Sequence, residues 1–117
     1  MRDSEELSIH RTREQILEAR RKAKDEYGEL FDAVSALLFR HDPIGINAEV
    51  NTDEYDLETE SILPRLKNSH SAEDVQRIVH EEFVRWFDGG TAGRAERYSE
   101  ISFEIWQLWR RHLRANE

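Results

Sequence analysis

The stretch Leu37–Leu66 reads LLFRHDPIGINAEVNTDEYDLETESILPRL and joins one apolar segment to the next through a polar connector. Pro43 predicts the end of the first helix, because the residue before a proline is driven out of the α region. Gly45 can take the positive φ of a turn. An acid within Asp53–Asp56 can cap a second helix that begins near Tyr55. The stretch therefore predicts a helix stop, a turn and a capped restart.

Apolar residues recur at the helical period on both sides of this stretch, and no alternating strand pattern occurs. One long helix is predicted over 9–41, with a bend at Gly28, since glycine weakens a helix interior by about 1 kcal/mol. Pro64 lies inside the second predicted helix and indicates a kink or two shorter helices. Two further helices are predicted over 72–87 and 94–115, separated by a glycine-rich break. The predicted fold is all-α, a compact four-helix arrangement with a long N-terminal helix.

The composition fits one helical domain over 1–117, with 1–8 expected to be disordered. The chain has no cysteine, which excludes disulfides and thiolate chemistry. A net charge of −8 disfavours binding to nucleic acids and to anionic membranes. The N-terminal residues lack the apolar centre of a signal peptide and no apolar run reaches membrane length, so we expect a cytoplasmic protein.

Two surfaces stand out as candidates for contact with a protein partner. The connector and its flanks, residues 42–60, carry seven acids and no Lys or Arg around Tyr55. The predicted partner-binding residues there are Asp42, Glu49, Asp53, Glu54, Tyr55 and Asp56. The last two helices carry more apolar surface than one core needs, in Phe87, Phe103, Trp106 and Leu113. That surplus indicates an enclosed helix, the interface of a homodimer or a groove for a partner.

Patterns for chemistry are incomplete, so the sequence predicts no catalytic residue, no metal ligand and no cofactor. The oxygen-rich run after Asn51 lacks the glycine and the final glutamate of a calcium loop. His80 begins a zinc-helix motif without its second histidine, and His41 is adjacent to Asp42 without a second ligand in sequence. An alternative is a metal-dependent enzyme that uses carboxylates on helices, with four candidates: Glu54, Glu58, Glu81 and Glu82.

A resemblance rests on Asp42-Pro43-Ile44-Gly45, on Asp53-Glu54-Tyr55-Asp56 and on Ile62 to Leu66. In these features the chain resembles a group of small bacterial helical proteins to which no activity is assigned. The resemblance implies an all-α fold, and some small acidic proteins of this kind are immunity proteins encoded beside toxins. Pro64 departs from the pattern of the group.

These observations favour a non-enzymatic, immunity- or regulator-like protein that binds another protein, with a basic partner favoured by the acidic connector. In this hypothesis Tyr55 is an exposed aromatic anchor amid the acids. The alternatives are the metal-dependent enzyme and a structural homodimer formed through the last two predicted helices.

Overall fold

The computed structural model describes residues 12–45 and 55–116. These residues form five α-helices and two 3₁₀ turns, with no strand among them. The helices are α1 (Arg13–Tyr27), α2 (Glu29–His41), α3 (Asp56–Ile62), α4 (Ala72–Ala92) and α5 (Ser99–Ala115), and the 3₁₀ turns are Leu63–Asn68 and Ala95–Tyr98. The all-α prediction is confirmed, but the predicted number of four helices is wrong. The expected disorder of residues 1–8 concerns a segment outside the described residues.

The predicted long first helix is two helices that meet at Gly28. This residue has φ 55° and ψ −128°, a conformation that side chains disfavour, and it separates α1 from α2. Its backbone N–H still donates to the carbonyl of Lys24 at 2.7 Å, and its own carbonyl accepts from Phe31 at 3.1 Å. The glycine therefore ends one helix and starts the next rather than only bending a continuous one.

Pro64 lies just after the end of an α-helix, which agrees with the predicted alternative of two shorter helices. The α-helical pattern of α3 stops at Ile62, and the chain continues as a tighter 3₁₀ turn through Asn68, where the missing N–H of Pro64 costs little. The predicted apolar face stays continuous through this change. Its members are all buried: Tyr55, Thr59, Ile62, Leu63 and Leu66.

Helix α4 begins as the sequence predicts and runs further than predicted. Ser71 caps it by accepting from the backbone N–H of Asp74 at 3.1 Å. The predicted break after residue 87 is a kink at Asp88, which has φ 74°. The Asp88 carboxylate accepts from the N–H of Thr91 at 2.8 Å, so it caps one more helical turn that ends at Ala92.

The core lies where α4 and α5 pack together beneath α2 and α3. The Phe83 ring centroid is 5.0 Å from that of Tyr98 and 6.0 Å from that of Tyr55. Trp86 on α4 and Trp109 on α5 are each only 8% exposed. None of the described helices combines the length and the apolarity needed to cross a bilayer.

Candidate functional site

The six predicted partner-binding residues do not form one exposed surface in the described structure. Tyr55 is completely buried, Asp56 is 4% exposed and Asp42 is half-buried. The other three lie outside the described residues: Glu49, Asp53 and Glu54. The expectation that Tyr55 is an exposed anchor is therefore wrong, and Asp56 is not a surface acid. A role of these residues in binding a partner stays a prediction.

Tyr55 is buried because the fold supplies partners for its hydroxyl group. The hydroxyl donates to Oδ1 of Asp42 at 2.6 Å and accepts from the backbone N–H of Ile44 at 3.2 Å. A buried phenol with both hydrogen bonds satisfied avoids the desolvation cost that would otherwise keep it at the surface. Asp42 and Ile44 lie before residues 46–54, which are outside the described structure, and Tyr55 lies directly after them. The two hydrogen bonds therefore join the described ends of the connector.

Asp56 is buried as part of a polar link between three helices. The hydroxyl of Ser35 on α2 donates to its carboxylate, and Nε of Arg20 on α1 lies 3.6 Å from Oδ2. Arg20 belongs to the basic run Arg20, Arg21, Lys22 and Lys24, whose helical spacing favours a solvated face and leaves a phosphate-binding patch as the alternative. Arg21 forms ion pairs of that spacing with Glu18 and Asp25. Arg20 differs because α3 passes beside it.

The carboxylates of the enzyme alternative that the structure describes are buried or paired with arginine, and the fourth, Glu54, lies outside the described residues. Glu82 is 4% exposed and accepts from Nη1 of Arg65 at 2.9 Å, with Nη1 of Arg85 at 3.4 Å. Glu81 accepts from Nη2 of Arg65 at 2.6 Å, and Glu58 is buried. Burial alone would lower the pKa of Arg65, but its bonds to the two glutamates raise it above the ordinary value. Arginine therefore neutralises Glu81 and Glu82.

Two histidines have partners that sequence adjacency did not identify. His80, the start of the incomplete zinc motif, forms a hydrogen bond between Nε2 and the carbonyl of Gly93 at 2.8 Å. His41 forms its hydrogen bond with a residue that is distant in the sequence rather than with the adjacent Asp42. Its Nε2 lies 2.9 Å from Oε2 of Glu104, which is 63 positions later in the chain. Only the packing of α2 against α5 brings this pair together.

The clearest unpaired surface is a row of side chains on α5, which we name the outer stripe: Phe103, Trp106, Arg110 and Leu113. At 100° per residue they fall within an arc of about 80°, and they span about 15 Å along the axis. Phe103 is 53% exposed and Leu113 is 47% exposed, while Trp106 is half-buried between them. The guanidinium carbon of Arg110 lies 5.7 Å from the centroid of the Trp106 ring. The stripe is thus apolar with a cation over its central aromatic ring.

A groove of about 540 Å³ lies where the α1–α2 corner meets the last turns of α5. Tyr27 and His112 line it, with their ring centroids 6.4 Å apart. Its charged lining is mixed, with acids from the corner and Arg111 from α5. The three described carboxylates of the enzyme alternative, Glu58, Glu81 and Glu82, are not among the residues that line it.

Comparison with known proteins adds no relative to this description. A scan of protein-family models and searches of curated proteins and of solved structures found no match to the chain. The class defined by the fold and the site is a small all-α protein with an aromatic stripe exposed on its last helix.

Proposed function

We propose that this protein is a non-enzymatic protein-interaction module whose contact surface is the outer stripe of α5. One observation supports the proposal above the others. Three large apolar side chains are exposed in the described part of the chain, and two of them, Phe103 and Leu113, lie on this stripe beside half-buried Trp106. Adjacent exposed apolar side chains mark contact surfaces, whereas a solitary one such as Leu17 needs no explanation.

The acidic connector has a secondary place in this proposal. The burial of Tyr55 removes the aromatic anchor on which a basic partner would dock. The acids of the connector keep their net charge and can still steer a partner at long range. We also propose the immunity- or regulator-like role that the resemblance implies, and a cytoplasmic location.

The charge pattern of α5 favours a second copy of the chain as the partner. The first turn carries Glu100, and the last two turns carry Arg110 and Arg114 on the same side of the helix. Around a two-fold axis, two such helices pack antiparallel, so that each acidic first turn faces the basic last turn of the other copy. Phe103 then packs near Leu113 of the second copy, with Trp106 near Arg110 of the second copy.

The stripe has four side chains, whereas a standard stable interface uses about 20–30 residues from each partner. We therefore expect a weak, concentration-dependent dimer rather than an obligate one. Such a dimer suits a regulatory protein that exchanges partners through the same surface. A heterologous helix with the same charge pattern would compete for it.

Sedimentation velocity over a wide concentration range, in the presence of a chelator, tests the proposal. The wild-type chain should shift from the 13.9 kDa monomer towards twice that mass. Leu113→Glu and Phe103→Glu should stay monomeric, because a carboxylate on the stripe must be desolvated on pairing. Leu17→Glu is the matched control, since Leu17 is 51% exposed on α1 and should not affect pairing.

A charge exchange tests the antiparallel arrangement. Arg114→Glu should weaken the dimer, and the double variant Arg114→Glu with Glu100→Arg should restore it, because the opposite charges again face each other. A wild-type chain that is monomeric at every concentration would contradict pairing with a second copy. Dimers that survive Leu113→Glu would show that the outer stripe is not the interface.

A further inference from the structure

We propose that His41, Glu100 and Glu104 form a binding site for a divalent transition-metal ion, with Zn²⁺ as the preferred ion. One nitrogen of His41 and one carboxylate oxygen from each glutamate all lie within 4.8 Å of one another. His41 is the last residue of α2, and the two glutamates are one turn apart on α5. The site therefore bridges two helices and shares no residue with the outer stripe, although Glu100 also faces the basic last turn of the second copy in the proposed dimer.

The distances need only small side-chain movements to suit a metal ion. Ligand atoms about 2.0–2.1 Å from a tetrahedral zinc ion stand roughly 3.3 Å from one another. The His41 Nε2 to Glu104 Oε2 distance of 2.9 Å is a few tenths of an ångström shorter than that. Glu100 is exposed and can rotate towards the other two ligands, because no core packing holds its side chain. Both helices can stay in place while the site closes around an ion.

The ligand set selects the class of metal. Sites for Mg²⁺ and Ca²⁺ are built from oxygen ligands, whereas an imidazole nitrogen favours Zn²⁺ and its neighbours in the transition series. Three protein ligands also leave a fourth position for water. His41 lies at the C-terminal end of α2, where the helix dipole is negative and stabilises a cation. The imidazole, the two carboxylates and the negative helix end thus all favour the binding of a cation at this site.

Arg40 is the one competing cation beside this cluster in the described structure. Its Nη2 lies 3.5 Å from Oε1 of Glu104, whereas the oxygen that faces His41 is Oε2. The Arg40 side chain is 65% exposed, so it can move away at little cost.

Calorimetric titration of the full chain with ZnCl₂ and, separately, with MgCl₂ tests the proposal. The titration is done on the Leu113→Glu background, so that pairing through the outer stripe cannot contribute heat and the two proposals can fail separately. We expect one Zn²⁺ per chain and weaker binding of Mg²⁺. Because losing even an indirect support of a metal ligand costs 10–100-fold in affinity, His41→Ala, Glu104→Gln and Glu100→Gln should each weaken zinc binding at least about tenfold.

Two control variants separate this site from loose binding elsewhere on the acidic surface. Glu96→Gln removes a glutamate one turn before Glu100, and His70→Ala removes an exposed histidine at the start of α4. Both should bind zinc as the parent does. Glu100→Gln changes an exposed residue, so its loss of binding cannot be attributed to unfolding. Zinc that produces neither heat nor a thermal shift, or binding that survives all three ligand variants, would overturn the proposal.

Discussion

Two regions with aromatic residues beside acids have opposite positions in this fold. Tyr55 lies among the acids of residues 42–60 and is completely buried, whereas Phe103 precedes Glu104 on α5 and is 53% exposed. The more polar of the two aromatic side chains is the buried one. Burial here follows from what the fold places around a side chain, since Asp42 and Ile44 satisfy the Tyr55 hydroxyl.

The same contrast holds for charge. Asp56 is buried because Ser35 and Arg20 meet it from two other helices. Arg110 on the outer stripe remains at the surface, where it covers part of the Trp106 ring. The buried polar groups of Tyr55 and Asp56 have partners within the chain, and these contacts stabilise the fold. A region whose apolar groups are left unmatched has surface to offer a second molecule.

The largest expected effect tests the burial of Tyr55 directly. Tyr55→Ala should lower the free energy of unfolding by about 3–5 kcal/mol, because it removes a buried aromatic ring and leaves a cavity. Phe103→Ala, the matched change at the exposed site, should alter it by less than about 0.5 kcal/mol. Urea unfolding followed by circular dichroism measures both. Equal losses would show that the two aromatic residues do not differ in burial.

A smaller loss in the free energy of unfolding is expected when the buried carboxylate of Asp56 is replaced. Asp56→Asn should cost about 1.5–3 kcal/mol, since it weakens the buried charge-assisted hydrogen bond from Ser35 and removes the ion pair with Arg20. Asp25→Asn, which changes an exposed partner of Arg21, should cost less than about 0.5 kcal/mol. The measurement is again chemical unfolding near neutral pH. A loss at Asp25 as large as that at Asp56 would contradict the polar link described between the helices.

Tyr98 provides a pH-dependent version of the same test. Burial raises the pKa of Tyr98, and Arg97 offsets part of that rise. Because folding favours the neutral phenol, its contribution to stability is complete below a pH of about 10, the ordinary tyrosine value, and is lost as the pH rises through the folded-state pKa. Tyr98→Phe should cost about 1 kcal/mol at neutral pH, through the lost hydrogen bond to the carbonyl of Ala92.

The alkaline comparison is the informative half of that experiment. Unfolding free energies measured from neutral pH upward should fall more steeply above a pH of about 10 for the wild type than for Tyr98→Phe, because the variant has no phenol to ionise. Phenolate absorbance reports the titration itself. Parallel pH profiles for the two proteins would mean that Tyr98 ionises equally easily in the folded and unfolded chains.

The smallest expected effect lies on the outer stripe. Leu113→Ser should change the free energy of unfolding of the monomer by less than about 0.5 kcal/mol, as should Leu17→Ser on α1. The two variants should differ only in self-association, which sedimentation measures. If Leu113→Ser lowered the free energy of unfolding of the monomer by several kcal/mol, Leu113 would pack within its own chain and would not be free to contact a second copy.

Local patterns in the sequence were sufficient for most of the secondary structure. Gly28, Pro43 and Pro64 mark helix ends because glycine and proline act through their own backbone geometry. The apolar face of the second predicted helix is buried from Tyr55 to Leu66, because a helix aligns such residues whatever lies opposite. The number of helices was missed, since spacing shows that a helix weakens at Gly28 but not whether it breaks.

The sequence by itself determined an all-α chain, most of the positions where its helices stop, and the apolar faces that form the core, because these depend on neighbours within a few residues. Only the tertiary structure decided that Tyr55 is buried, that Arg20 meets Asp56, and that His41 meets Glu104. These contacts join residues far apart in the chain, and their formation depends on how whole helices pack. The sequence already marked Phe103, Trp106 and Leu113 as surplus to the core. Only the packed structure shows that Phe103 and Leu113 are exposed and that Arg110 lies over the Trp106 ring.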